Sequence, residues 1–194
     1  MINNYQNYNK NKRLNIILFN GTLCNHKGQI DFLNNIESNI IKDYILLFIG
    51  KERNYSFSEC LQIATQKNIK LICIPFIQSN YLYKIVTKCK YQINYCINTL
   101  FDANPRSITE GLYAGLPYLV SNTVQLPKII ENNKKIGYIC KANNKIDLNE
   151  KVLKLLKLDN SYLEKFVKNY LEMNKVCNNL VIDILENYKS INYK

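Results

Sequence analysis

Short apolar runs alternate along this chain with longer stretches in which apolar residues recur every three or four positions. The short runs cover residues 14–19, 44–49, 69–74, 91–95, 118–121 and 137–140, each of a length suited to one buried strand. Helical spacing covers 28–39, 56–67, 80–89, 105–114 and 148–158, with one helical turn at 126–131. A further helical pattern starts at Ser161 and extends to about Lys189. Ser56 and Glu59, three apart at the head of the second pattern, form a capping-box pair. Strands that are apolar throughout, separated by amphipathic helices, predict a parallel sheet covered on both faces. The expected fold class is therefore α/β: a single doubly wound, Rossmann-like domain. In such sheets ligands bind beyond the carboxyl ends of the strands, which selects the loops 20–28 and 97–105 for scrutiny.

Length and composition narrow the setting. A chain of 194 residues fits one domain with a core large enough to stand without disulfides or metal. Residues 1–12 are an Asn/Tyr/Lys-rich polar lead-in, expected to be disordered, and 13–194 form the domain. No stretch approaches the roughly 20 apolar residues a membrane-spanning helix needs, and the N-terminus lacks an apolar signal core. A cytoplasmic location is the resulting expectation. Seven cysteines, scattered and without a C-x-x-C pair, are expected to be buried or half-buried free thiols. The formal net charge of +11 suits an anionic partner, whether a nucleotide or a membrane surface approached peripherally. Nucleic acid is not expected, because no aromatic-plus-basic recognition motif accompanies the charge.

The segment 102–121, DANPRSITEGLYAGLPYLVS, carries the most chemistry. Asn104 is a good N-cap, and Pro105 suits the first helical position, where an N–H would be unpaired anyway. Gly115 ends the helix and Pro117 prevents its continuation. The helix therefore opens toward the ligand edge, where its free amides and dipole favour a phosphate. Asp102 precedes it and Glu110 lies within it, eight positions later. Arg106 stands one turn from Glu110, so a weak intrahelical pair between them is also open.

Two acids in an E-x7-E arrangement, followed by small residues and Gly-x-Pro into an apolar strand, resemble the donor-site signature of retaining GT-B glycosyltransferases. In this chain the arrangement is Asp102-x7-Glu110, then Ala114-Gly115-Leu116-Pro117. A G-R-L-x-x-x-K-G stretch after the first strand belongs to the same signature, and Gly21-Thr22-Leu23-Cys24-Asn25-His26-Lys27-Gly28 is similar to it. Phe48-Ile49-Gly50 and Leu126-Pro127 also look like the family, and the likeness runs from about Leu14 to Leu158.

The resemblance implies the C-terminal, donor-binding half of a GT-B fold that transfers a hexose from a UDP- or GDP-sugar to an acceptor. Glu110 would accept hydrogen bonds from the ribose hydroxyls and Asp102 would face the donor sugar, the two forming the catalytic acids. Gly21 and Thr22 would line the pyrophosphate with Lys27, which neutralises it, and the amides of Ala103, Asn104 and Arg106 would meet the sugar and distal phosphate. No metal or other cofactor is implied beyond the nucleotide-sugar, and no D-x-D pair occurs in the chain. The implied partners are a separate acceptor-binding domain or a second copy of the chain.

Three positions depart from the family pattern: Thr22 replaces its arginine, the first acid is Asp, and Pro75 replaces a glycine near the base. These departures keep open an alternative, a non-catalytic nucleotide-sugar-binding module that completes a partner enzyme. His26 and Arg106 are the cations available to stand in for the missing arginine, although His26 also suits an incidental polar role and Arg106 a solvated helix charge.

Overall fold

Six strands form one parallel sheet in the order β3-β2-β1-β4-β5-β6. They are β1 (Ile16–Asn20), β2 (Ile45–Ile49), β3 (Leu71–Ile74), β4 (Tyr91–Asn94), β5 (Tyr118–Ser121) and β6 (Gly137–Cys140). The helices are α1 (Gln29–Asn35), α2 (Phe57–Gln66), α3 (Ser79–Val86), α4 (Arg106–Tyr113) and α5 (Lys145–Leu155). The computed structural model describes residues 13–97, 106–126, 131–159, 161–163 and 165–166. Residues 127–130 of the predicted turn and most of the pattern from 161 onward lie outside those residues, as does the lead-in 1–12.

The sheet is doubly wound and Rossmann-like, as the alternation predicts. One face carries Phe19, Phe48, Ile93 and Tyr95, packed with Phe32 and Leu33 of α1, Cys60 and Ala64 of α2, and Leu148, Val152 and Leu155 of α5. On the other, Leu18 and Leu47 meet Val86 of α3, while Tyr118 and Val120 meet Ile108 and Leu112 of α4. Each fully buried side chain of this size contributes about 1.5–3 kcal/mol, so this alternation in and out of the sheet fixes its register. Tyr91 and Tyr95 are buried at 1% and 0% exposure. Tyr91 also donates its hydroxyl to Leu156 O at 2.9 Å, closing the end of α5. Arg13 ties two helix ends together beneath the sheet, donating to Cys89 O at 3.0 Å and Ala114 O at 2.8 Å.

Three helices begin or end elsewhere than their apolar pattern suggests: α3 stops at Val86, short of Cys89, where Lys88 and Cys89 bond three residues back. α1 starts at Gln29, because Gly28 adopts φ +61° and ψ 23°, and it stops at Asn35, because Ile36 turns extended. The Lys67 ammonium closes that end, donating to the carbonyls of Leu33, Asn34 and Ile36 at 2.6–2.7 Å. α5 starts at Lys145, three residues before the expected start at Leu148, because the Asn144 side chain accepts from the Asp147 N–H at 2.9 Å. The capping box at Ser56 and Glu59 forms as predicted. Cys24, Cys60, Cys73, Cys89, Cys96 and Cys140 are free thiols, five buried and Cys73 half-buried. Cys177 lies outside the described residues.

Candidate functional site

The strand order reverses between β1 and β4, so the crossover after β1 departs to one side and that after β4 to the other. In doubly wound sheets such a reversal is where ligands bind, between the loops leaving the two strands. Ile97 donates its N–H to His26 O at 3.0 Å, joining them backbone to backbone. Both predicted ligand loops thus share one end of the sheet.

The β1 loop is tightly built. Leu23 pairs with Glu52 beyond β2, donating its N–H to Lys51 O at 2.8 Å. Asn25–Lys27 make one 3-10 turn, and the Lys27 N–H bonds to Cys24 O at 3.0 Å. Gln29, 1% exposed, reaches back so that Nε2 donates to Thr22 O at 2.9 Å, while its Oε1 is buried with no donor among the described residues. His26 packs its imidazole against the buried Cys24 thiol, with Sγ at 3.5 Å from Nδ1 and 3.7 Å from Nε2. Gly21, Thr22 and Lys27 are all half-buried at this edge.

On α4, Glu110 is half-buried and Arg106 exposed. Burial pushes the Glu110 carboxyl above its usual value, and the nearby Arg106 guanidinium only partly offsets it. The helix ends in a full Schellman motif: Leu116 N–H bonds to Gly111 O and Gly115 N–H to Leu112 O, both at 2.8 Å, with Gly115 at φ +77°. That ending is the one expected from Gly115 and Pro117. Asp102, Ala103 and Asn104, with Pro105, lie outside the described residues, so the structure brings together Gly21, Thr22 and Lys27 on one loop and Arg106 and Glu110 on the helix.

Two residues at this edge carry no motif. Phe76, after β3, is 62% exposed, and the Lys51 ammonium lies 4.9 Å from its ring centre. The signal available for them in the sequence is position: each lies two residues past a strand's carboxyl end. Among the described residues no three His, Cys, Asp or Glu side chains are grouped as a metal would require. No helix among them is long and apolar enough to cross a membrane.

This doubly wound arrangement is the Rossmann-like fold of the C-terminal domains of GT-B glycosyltransferases. Residues 2–173 match the family described as glycosyl transferases group 1, and the chain belongs to that family. Solved structures agree on the fold. The catalytic domain of cholesterol-α-glucosyltransferase from Helicobacter pylori superposes with a TM-score of 0.64 at 19% identity, covering 81% of this chain and 95% of that one. WaaG, a glycosyltransferase involved in lipopolysaccharide biosynthesis, gives 0.62 at 17% identity over 86% of this chain and 44% of its own. A TarM variant from S. aureus, solved with fondaparinux, α-GlcNAc-glycerol and UDP, gives 0.64 at 15% identity over 85% and 33%. The chain thus spans under half of WaaG and a third of TarM. No curated protein matches it in sequence.

Proposed function

We propose that this chain is the donor-binding half of a retaining glycosyltransferase, binding a UDP- or GDP-sugar for transfer of the hexose to an acceptor held elsewhere. The observation that carries this reading is the Ile97–His26 backbone bond. It joins the loop bearing Lys27 to Ile97, from which the chain runs on toward Asp102 and the helix bearing Glu110.

In this reading a diphosphate lies across the β1 loop, with Lys27 neutralising the charge that grows on the leaving group. Amides at Ala103, Asn104 and Arg106 meet the distal phosphate and sugar, where α4 directs its positive end. The Glu110 carboxylate accepts both ribose hydroxyls, which two lone-pair-rich oxygens can do at once. Its partial burial sharpens the choice, since an ionised carboxylate held out of water gains most from donors that replace water. Asp102 faces the sugar and stabilises positive charge developing at the anomeric carbon. Charge neutralisation by Lys27 and the helix end removes the need for a metal. Phe76, exposed beside these loops, offers an aromatic surface to the base. The acceptor is held by another domain or chain, consistent with this chain's partial span of WaaG and TarM.

Calorimetric titration with UDP, GDP, ADP and their glucose and mannose conjugates tests the reading. One nucleotide should bind selectively, more tightly as its sugar conjugate, and Glu110→Ala should abolish the heat. Binding without donor hydrolysis, even with an acceptor half supplied, would favour the non-catalytic module that Thr22 in the arginine position keeps open. No binding at millimolar ligand would end the donor-site reading.

A further inference from the structure

The face of β4 turned toward α4 is polar where a central strand is ordinarily apolar. Gln92 and Asn94 are each 3% exposed. Gln92 Nε2 donates to Ile108 O and to Leu116 O, both at 3.1 Å. The first acceptor lies inside α4, two residues before Glu110, and the second lies just past the helix end. Asn94 Nδ2 points to Ser107 Oγ at a marginal 3.5 Å in the first turn of the same helix.

Helix and strand come this close because residue 111 is glycine. A Cβ there would overlap the Gln92 amide, and Gly111 is the residue directly after Glu110. The two amide hydrogens of Gln92 are therefore shared between one carbonyl within the helix and one beyond it. Sliding or rotating α4 would leave both hydrogens buried without acceptors, which an apolar contact such as Ile108 or Leu112 would not penalise so sharply.

We propose that Gln92 is a positioning residue for Glu110: through its paired bonds to Ile108 O and Leu116 O it fixes the register and rotation of α4, and thereby where the Glu110 carboxyl stands at the ligand edge. The proposal rests on the reading of Glu110 as the ribose acceptor for its functional meaning, but its geometric content stands apart. Gln92 touches no substrate in this arrangement; it acts through the helix.

The test joins two readouts on the same protein. The Glu110 carboxyl is titrated by carbon NMR with labelled glutamate, its signal identified by its disappearance in Glu110→Gln. Binding of UDP and GDP is measured by calorimetry. Gln92→Met keeps the side-chain length and removes the donors; it should move the Glu110 titration and weaken nucleotide binding about tenfold (about 1.4 kcal/mol), with an unchanged circular dichroism spectrum. Gly111→Ala should do the same from the helix side, since the new methyl displaces the amide from both carbonyls. It serves as the deciding variant if Gln92→Met does not fold. An unmoved Glu110 titration in a folded variant overturns the proposal, whatever happens to binding. A moved titration in a protein that binds no nucleotide, wild type included, would uphold the positioning and sink the donor reading instead.

Discussion

The carbonyl oxygen of Tyr95 rests against the Cα of Gly28, in the space where any other residue would place its Cβ. Gly28 also adopts φ +61°, and a side chain there carries a left-handed strain of about 1–2 kcal/mol. The two ligand loops are thus locked together by the absence of one carbon. Gly28→Ala should lose at least about 2 kcal/mol in urea unfolding, strain and overlap acting together. The Ile97–His26 bond should open with it, so nucleotide affinity should fall by far more than tenfold. A variant with wild-type stability and affinity would show that the loops separate freely.

Glu110 sets a pH dependence with opposite signs for folding and for binding. Its folded pKa is raised by burial, so the ionised carboxyl costs stability at neutral pH, and that cost disappears as the pH falls through the folded value. Ribose hydroxyls, by contrast, donate to the ionised form. Nucleotide affinity should therefore decline as the pH drops, beginning above the range of an ordinary glutamate near 4.3. Calorimetry from pH 7.5 to 4.5 measures this directly. Glu110→Gln should flatten the profile, and a wild-type profile as flat as the variant's would remove Glu110 from the site.

Much of this was legible in the sequence, for reasons that differ by element. The strands were written as apolar runs because both faces of a parallel sheet are buried, and β5 and β6 fall on the residues the runs cover. The Schellman end of α4 was written in Gly115 and Pro117. Gly28 could be seen as part of a motif, but not that it stops α1 from starting earlier, since αL backbone leaves no trace in periodicity. The start of α5 was hidden because its cap, Asn144, lies outside the apolar pattern. Lys67 was invisible as a helix end-cap, because it is remote in sequence from the carbonyls it binds. Gln92 and Asn94 were visible as polar positions in a central strand, yet the role of Gly111 against Gln92 becomes meaningful only when the helix is laid on the strand.

The Lys67 cap separates stability from function. Its ammonium holds three carbonyls at the end of α1, near the negative end of the helix dipole. The side chain is partly exposed, so water replaces some of what a substitution removes. Lys67→Met should destabilise by about 1–2 kcal/mol, the range for bonds to a charged donor after that discount. Nucleotide affinity should change less than twofold, because α1 points its other end at the ligand loops. Thermal unfolding alongside calorimetry checks both halves, and a large loss of affinity would tie this end of α1 to the site.

Gln29 should behave in the reverse way. Its Nε2 bond holds Thr22 O and contributes about 1 kcal/mol, while its buried Oε1 has no donor among the described residues and costs about 1–3 kcal/mol. Gln29→Met removes the bond and the unpaired oxygen together while nearly keeping the volume. The two effects oppose each other, so stability should stay within about 1 kcal/mol of wild type or rise slightly. The loop, however, loses the tie that closes Thr22 back onto the first turn of α1. Nucleotide affinity should then fall severalfold, since the ordering of the loop that Gln29 supplies in advance must be met during binding. A loss of more than about 3 kcal/mol of stability would mean that Oε1 has a strong donor in the folded protein. Unchanged affinity with unchanged stability would mean that Thr22 is held well enough by the Leu23–Glu52 pairing alone, and that Gln29 is a passive occupant of the loop.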